Sequence, residues 1–137
     1  MSGISATTDI RCAASAVFDY LAQIENQAKW MPSIEKVDHT GGSPGKTGST
    51  YRQVVKMMGM TQEGTLEVIE CEPGTRLRTS VKGGPGKIES LFELTEEGGG
   101  TRVKMTVDAG PMGAIMSPMI RAQLEKGLAQ LKTILEG

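Results

Sequence analysis

The chain has 137 residues and a formal net charge of −1, which is enough for one core, too few for two, and too neutral to draw nucleic acid by its field. No run of Lys or Arg marks a basic groove, Cys12 and Cys71 read as two reduced thiols and not as a disulfide or metal pair, and one histidine leaves zinc chemistry without ligands. Residues 1–10 carry no secretion signal and no stretch approaches the ~18 consecutive apolar residues of a membrane span, so a single domain over residues 1–137, cytoplasmic and without an integral membrane segment, is the expectation.

Residues 3–12 read as a first strand. Ser15 is placed to cap a helix, because its hydroxyl accepts a free N–H of the first turn. Val17, Leu21 and Ile24 then mark one face, with Phe18 beside it, and the helix continues, bent, to Trp30 before Pro32 stops it. Residues 34–39 form a short strand, and Gly41, Gly42, Pro44, Gly45 and Gly48 a loop. Residues 49–58 and 60–72 read as a hairpin joined near Gly59. In 76–82, Leu77, Thr79 and Val81 alternate with Arg76, Arg78 and Ser80. After the turn at 83–86, Ile88, Ser90, Phe92 and Leu94 face inward against Glu89 and Glu93. After 98–100, Val103, Met105, Val107 and Ala109 oppose Arg102, Lys104, Thr106 and Asp108. Alternation of this kind buries one face of an antiparallel sheet and wets the other.

In residues 112–135, Met112, Met116, Ile120, Leu124, Leu128, Leu131 and Leu135 recur at three- and four-residue steps, the period of an amphipathic helix. Such a helix would run roughly 37 Å, with Arg121, Glu125, Lys132 and Glu136 facing water. Pro118 either kinks it or restarts it with Ser117 as cap.

The order of elements and five short segments resemble the START-like, polyketide cyclase/dehydrase superfamily (SRPBCC, Bet v 1-like). The segments are Ile-Arg-Cys-Ala-Ala-Ser-Ala-Val-Phe at 10–18, Trp30-Met31-Pro32, Val-Ile-Glu-Cys-Glu-Pro-Gly-Thr-Arg-Leu at 68–77, Thr101-Arg102-Val103, and Leu-Lys-Thr-Ile-Leu-Glu at 131–136. The resemblance implies an α+β helix-grip fold: a seven-stranded antiparallel sheet curved around a long C-terminal helix, with two short helices after the first strand. It also implies a cavity between sheet and helix. The superfamily includes lipid carriers, a quinone-binding chaperone, hormone receptors, aromatic cyclases and toxins of toxin–antitoxin pairs, and fold alone does not choose among them.

Met57, Met105, Met112 and Met116 fall near that cavity and either line an adaptable pocket or fill the core. Thr79 and Ser90 are hydroxyls among apolar neighbours, and Val55, Val81, Phe92 and Ile120 share the inward faces. Tyr51 and Gln53 join them in one strand register; a slip of one residue brings in Arg52 and Lys56 instead. Trp30 either closes an end of the cavity or anchors the short helices to the sheet. Glu63 and Glu67 are wall carboxylates or exposed strand charges. Asp38 and His39 point to opposite faces before a glycine loop and read as surface residues. The loop 40–47 misses a phosphate-binding motif, since Thr40 stands where Gly is needed and a strand, not a helix, follows.

No catalytic residue, metal or cofactor is assigned. The first reading is a carrier or sensor for a small hydrophobic molecule such as a lipid, quinone or polyketide. The second is a polyketide cyclase or dehydratase using Tyr51, Gln53 and Ser90. The third is a toxin-like interaction protein, with a protein partner or a homodimer formed through the apolar segment 110–116.

Overall fold

A computed structural model describes residues 3–57, 59–83 and 86–137, with the backbone alone at Met57 and Met112. Strand β1 (Ile4–Ile10) is followed by α1 (Ala14–Ala22), a 3-10 turn (Ile24–Asn26) and the one-turn α2 (Gln27–Trp30). Six strands follow: β2 (Ile34–Gly41), β3 (Thr50–Met57), β4 (Met60–Glu72), β5 (Arg76–Gly83), β6 (Gly86–Glu97) and β7 (Gly100–Asp108). The short α3 (Pro111–Ile115) and the long α4 (Ser117–Glu136) end the chain. The strands form one curved antiparallel sheet in the order β1-β7-β6-β5-β4-β3-β2 around α4, the α+β helix-grip architecture that the resemblance implies.

The period of two carries this sheet. Along β7, Thr101, Val103, Met105 and Val107 are buried while Arg102 and Lys104 are exposed. Gly98 and Gly99, at φ +54° and +89°, turn β6 into β7 in a conformation that a side chain would strain. Tyr51 and Gln53 are buried and Arg52 and Lys56 exposed, which settles the register of β3. Arg52 pairs instead with Asp38 and Glu63 on the outer face, and His39 is exposed, its Nε2 beside the Gly42 carbonyl.

Two local expectations are corrected. Ala13, not Ser15, occupies the cap of α1, with extended φ −64° and ψ 149°, and Ser15 lies exposed inside the first turn. At Pro118 the helix takes the second of the two courses open to it, a restart, but with Met116 and not Ser117 as the cap. It breaks at Met116, and Pro118 then stands at the start of α4. Proline has no N–H to donate, and in a continuous helix its ring would crowd the carbonyl of Ala114, four residues back. The second helix, with 20 residues, is roughly 30 Å long.

Antiparallel order sends β3, β5 and β7 toward one end of the sheet. The end of β3 and the start of β4, the end of β5 and the start of β6, the α2–β2 connection and the start of α4 therefore gather there. The far end holds the β1–α1 turn and the end of α4. Here the expectation that Lys132 and Glu136 simply face water fails. The Arg11 N–H donates to Glu136 Oε2 at 2.8 Å, Lys132 Nζ donates to the same oxygen at 2.8 Å and also to the Asp9 carbonyl. Cys12 Sγ donates to the Leu135 carbonyl at 3.2 Å, and Thr101 Oγ1 to the Cys12 carbonyl at 2.7 Å. Leu124, Leu128 and Leu131 are buried beneath the helix.

The Lys132 ammonium, and after it the Arg11 N–H, hold the Glu136 carboxyl below its ordinary pKa of 4.5. A lowered folded pKa favours the folded state when the carboxyl is ionised, and that contribution disappears as pH falls through the folded value. Urea unfolding of Glu136→Gln is therefore expected to show lower stability than the parent at neutral pH, with the gap closing as pH drops below about 4.5. A gap that persists unchanged at low pH would mean that the charge of Glu136 is not what holds the clasp.

Candidate functional site

A cavity of ≈ 150 Å³ lies between the sheet, α2 and the first half of α4. From α2 and the connection after it come Gln27, Trp30, Met31 and Ser33, followed by Ile34 at the head of β2. The sheet contributes Gln53 and Val55, Leu66, Thr79 and Val81, Ile88 and Ser90, and Met105 and Val107. Ile120, Gln123 and Leu124 of α4 close it. Two cross-strand rows explain why these side chains meet. Leu66, Val81 and Ile88 are direct neighbours across β4, β5 and β6, and Thr79, Ser90 and Val107 are neighbours across β5, β6 and β7. Each row holds side chains on one face of the pleat. Ile88 is 44% exposed, so the cavity opens to solvent at the end where β5 turns into β6.

The polar groups in this wall are amides, hydroxyls and one indole. Gln53 Nε2 donates to Gln27 Oε1 at 2.8 Å, both side chains being buried, which ties α2 to β3. Trp30 Nε1 and Gln123 Oε1 are buried with no partner among the described residues. No ionisable side chain among the described residues lines the cavity, and none of the described His, Cys, Asp and Glu residues gather in threes to hold a metal ion. No helix among the described residues is long and apolar enough to cross a membrane.

A second, larger hollow of ≈ 530 Å³ is a surface groove between α2 and α4, edged by Lys29, Lys126, Gln130 and Thr133. Trp30 and Met31 border both hollows and partition them. Gly127 makes this approach of the helices feasible: a Cβ there would stand 2.9 Å from Met31 Sδ and 3.4 Å from Trp30 Cε3. The groove has a wall of mixed polar and apolar groups, whereas the inner cavity is walled mostly by apolar side chains, so the inner cavity is the candidate site.

Of the residues expected at the site, Trp30, Gln53, Val55, Thr79, Val81, Ser90, Met105 and Ile120 line the cavity. Tyr51, Phe92 and Met116 are not among its lining residues. Tyr51 is fully buried farther along β3, where its hydroxyl accepts the Gly45 N–H at 2.7 Å and its ring meets the His39 ring edge-on. Phe92 packs edge-on against Trp30, with centroids 5.9 Å apart, so Trp30 is an anchor in the core as well as a cavity wall. Met116 stands at the helix break. The side chains of Met57 and Met112 lie outside the described set.

Sequence reasoning left Gln27, Met31, Ser33, Ile34 and Gln123 out of the site, along with Leu66, Ile88, Val107 and Leu124. Ile88, Val107, Leu124 and Gln123 carried a usable signal, since each shares the parity or helical stripe of a residue that was named. Leu66 had no named neighbour on β4 to mark it, and Gln27, Met31, Ser33 and Ile34 carried none, because their position depends on how the α2 segment docks.

The paired amides give a test. Gln53→Leu leaves the buried Gln27 amide without its partner and is expected to lower stability in urea unfolding by about 1–3 kcal/mol. Adding Gln27→Leu should recover most of that loss, and a double variant no better than the single would rule out the pair as the cause.

The fold recurs in proteins of very different sequence. A Chromobacterium violaceum protein superposes with a TM-score of 0.80 at 17% identity, covering 100% of this chain and 99% of its own. A START superfamily protein of Mycobacterium smegmatis gives 0.79 at 18% identity, over 98% and 97% of the two chains. The ginseng major latex-like protein 151 of Panax ginseng gives 0.78 at 13% identity, over 99% and 98%. No curated protein matches the sequence. The family described as polyketide cyclase / dehydrase and lipid transport matches residues 1–136, and the chain belongs to that family.

Proposed function

We propose that this protein binds a small hydrophobic molecule, as a carrier or sensor, in the cavity between its sheet and α4. The observation that supports this reading is the uncharged cavity itself, walled by Leu66, Val81, Met105, Val107 and Ile120 and provided with a few convergent amides and hydroxyls. A ligand that buries roughly 200 Å² of apolar surface there would gain about 5 kcal/mol before the costs of ordering and desolvation. Lipids, quinones and polyketides supply such surface. The lipid transport named in the family's description agrees with this reading.

The same wall weighs against acid–base turnover as the main activity. A general acid or base must stand within hydrogen-bond reach of the proton that it moves, and the described lining offers only neutral groups. Tyr51, a candidate for cyclase chemistry, is occupied with Gly45 away from the cavity.

Native mass spectrometry of the gently purified protein, before and after organic extraction, tests the proposal. A releasable apolar adduct is expected. It should weaken at least about tenfold in Ser90→Phe, which fills the cavity, and persist in Ile69→Phe on the outer face. An apo mass that acquires nothing from a cell lipid extract would overturn the reading.

A further inference from the structure

We propose that the cavity selects an uncharged ligand bearing a hydroxyl group, which is recognised by the Trp30 indole N–H and the Gln123 amide. This rests on the cavity being the ligand site. Three observations carry it.

The first is charge. A carboxylate, phosphate or ammonium buried in this wall would face no opposite charge among the described lining residues, and burying an unpaired ion is strongly unfavourable. Ionised ligands are thereby disfavoured as occupants of the interior.

The second is the state of the polar groups. Trp30 is 2% exposed, yet its Nε1 has no partner among the described residues, and neither has Gln123 Oε1. Buried polar atoms in folded proteins are nearly always partnered, and an orphan calls for an explanation. Other orphans, such as the Tyr20 and Ser80 hydroxyls, belong to residues outside the cavity wall. A pure hydrocarbon would leave the indole and the amide as they are. An oxygen on the ligand accepts the indole N–H, which can only donate. A hydroxyl does more, because it also satisfies either end of the Gln123 amide, donating to the carbonyl or accepting from the NH₂.

The third is size. A cavity of ≈ 150 Å³ is about that of an engineered apolar cavity that binds benzene. One ring or its aliphatic equivalent fits the enclosed part, and a longer molecule extends past the exposed Ile88.

Calorimetric titration with toluene, p-cresol and 4-methylbenzoate at neutral pH separates these features on one ring size. Without protein partners the phenolic hydroxyl is a handicap, since it leaves water for an apolar wall. The proposal expects the opposite order, with p-cresol about tenfold tighter than toluene and 4-methylbenzoate too weak to detect. Gln123→Met keeps the bulk of the side chain and removes the amide; Trp30→Phe removes the N–H and keeps a ring against Phe92. Each should cut the preference for p-cresol over toluene to about threefold or less while toluene still binds, which a merely misfolded variant would not do.

Equal binding of toluene and p-cresol, a preference that survives both variants, or tight binding of the carboxylate would overturn the inference and leave the proposed binding function standing. Failure of both neutral rings to bind would overturn the inference and the binding function together.

Discussion

The structure depends on how α4 lies against the sheet. At its C-terminal end the helix is held: the carboxylate of Glu136 takes the Arg11 N–H and the Lys132 ammonium, and Cys12 donates to the carbonyl of Leu135. Beneath this half, Leu128 and Leu131 are 1% and 0% exposed, so the helix sits in close packing. Toward its N-terminus the inward positions pass to Leu124, Gln123 and Ile120, which border empty space. The helix is thus closely packed toward one end and bordered by the cavity toward the other. The break at Met116 matters for the same reason. A continuous helix from Met112 would carry β7 straight into α4, whereas the broken one lets the chain change direction at the open end before it spans the sheet.

The second wall comes from a segment with little regular structure of its own. The single turn of α2 has no side-chain cap and is far too short to persist alone. It is held by tertiary contacts: the Gln27–Gln53 amide pair to β3, the Trp30 ring against Phe92 of β6, and the close pass of Met31 and Trp30 over Gly127 of α4. Each contact ties α2 to a different element. The groups that border the cavity are thus among those that assemble it.

How much of this was legible follows from what each pattern encodes. Period two marks the face on which a residue lies, so the strands and most inward positions of β5, β6 and β7 could be read directly, with the exception of Ser80, expected on the wet face of β5 and yet 2% exposed. Parity does not encode depth along the sheet. Tyr51 and Phe92 share the inward face with Gln53 and Ser90, yet one is taken up by Gly45 and the other by Trp30, each beyond the cavity. The helical stripe likewise reads correctly from Ile120 to Leu131 and fails at Met116, where the effect of Pro118 on the backbone outweighs the apolar period. Gln27 gave no sign, and Gln123 gave one by position only, three residues after Ile120, because a glutamine facing a void and one facing water look alike until the docking of neighbouring elements is known.

The polar residues of the wall also bear on why the void persists. A cavity lined only by flexible apolar side chains is under pressure to close, since its lining atoms lack dispersion partners across the gap. Here two walls are fixed by directional bonds. The amide pair ties α2 to β3, and the clasp at Arg11 and Glu136 ties the end of α4 to the β1–α1 turn. Met105, an adaptable side chain of the lining, could under the proposed binding function adjust to a ligand without moving the frame. Under the proposed binding function, shape tolerance would fall to the methionines and branched aliphatics, and chemical selection to the few groups that are polar and uncharged. A site divided in this way suits a molecule that is mostly apolar and is distinguished from its relatives by a single neutral oxygen.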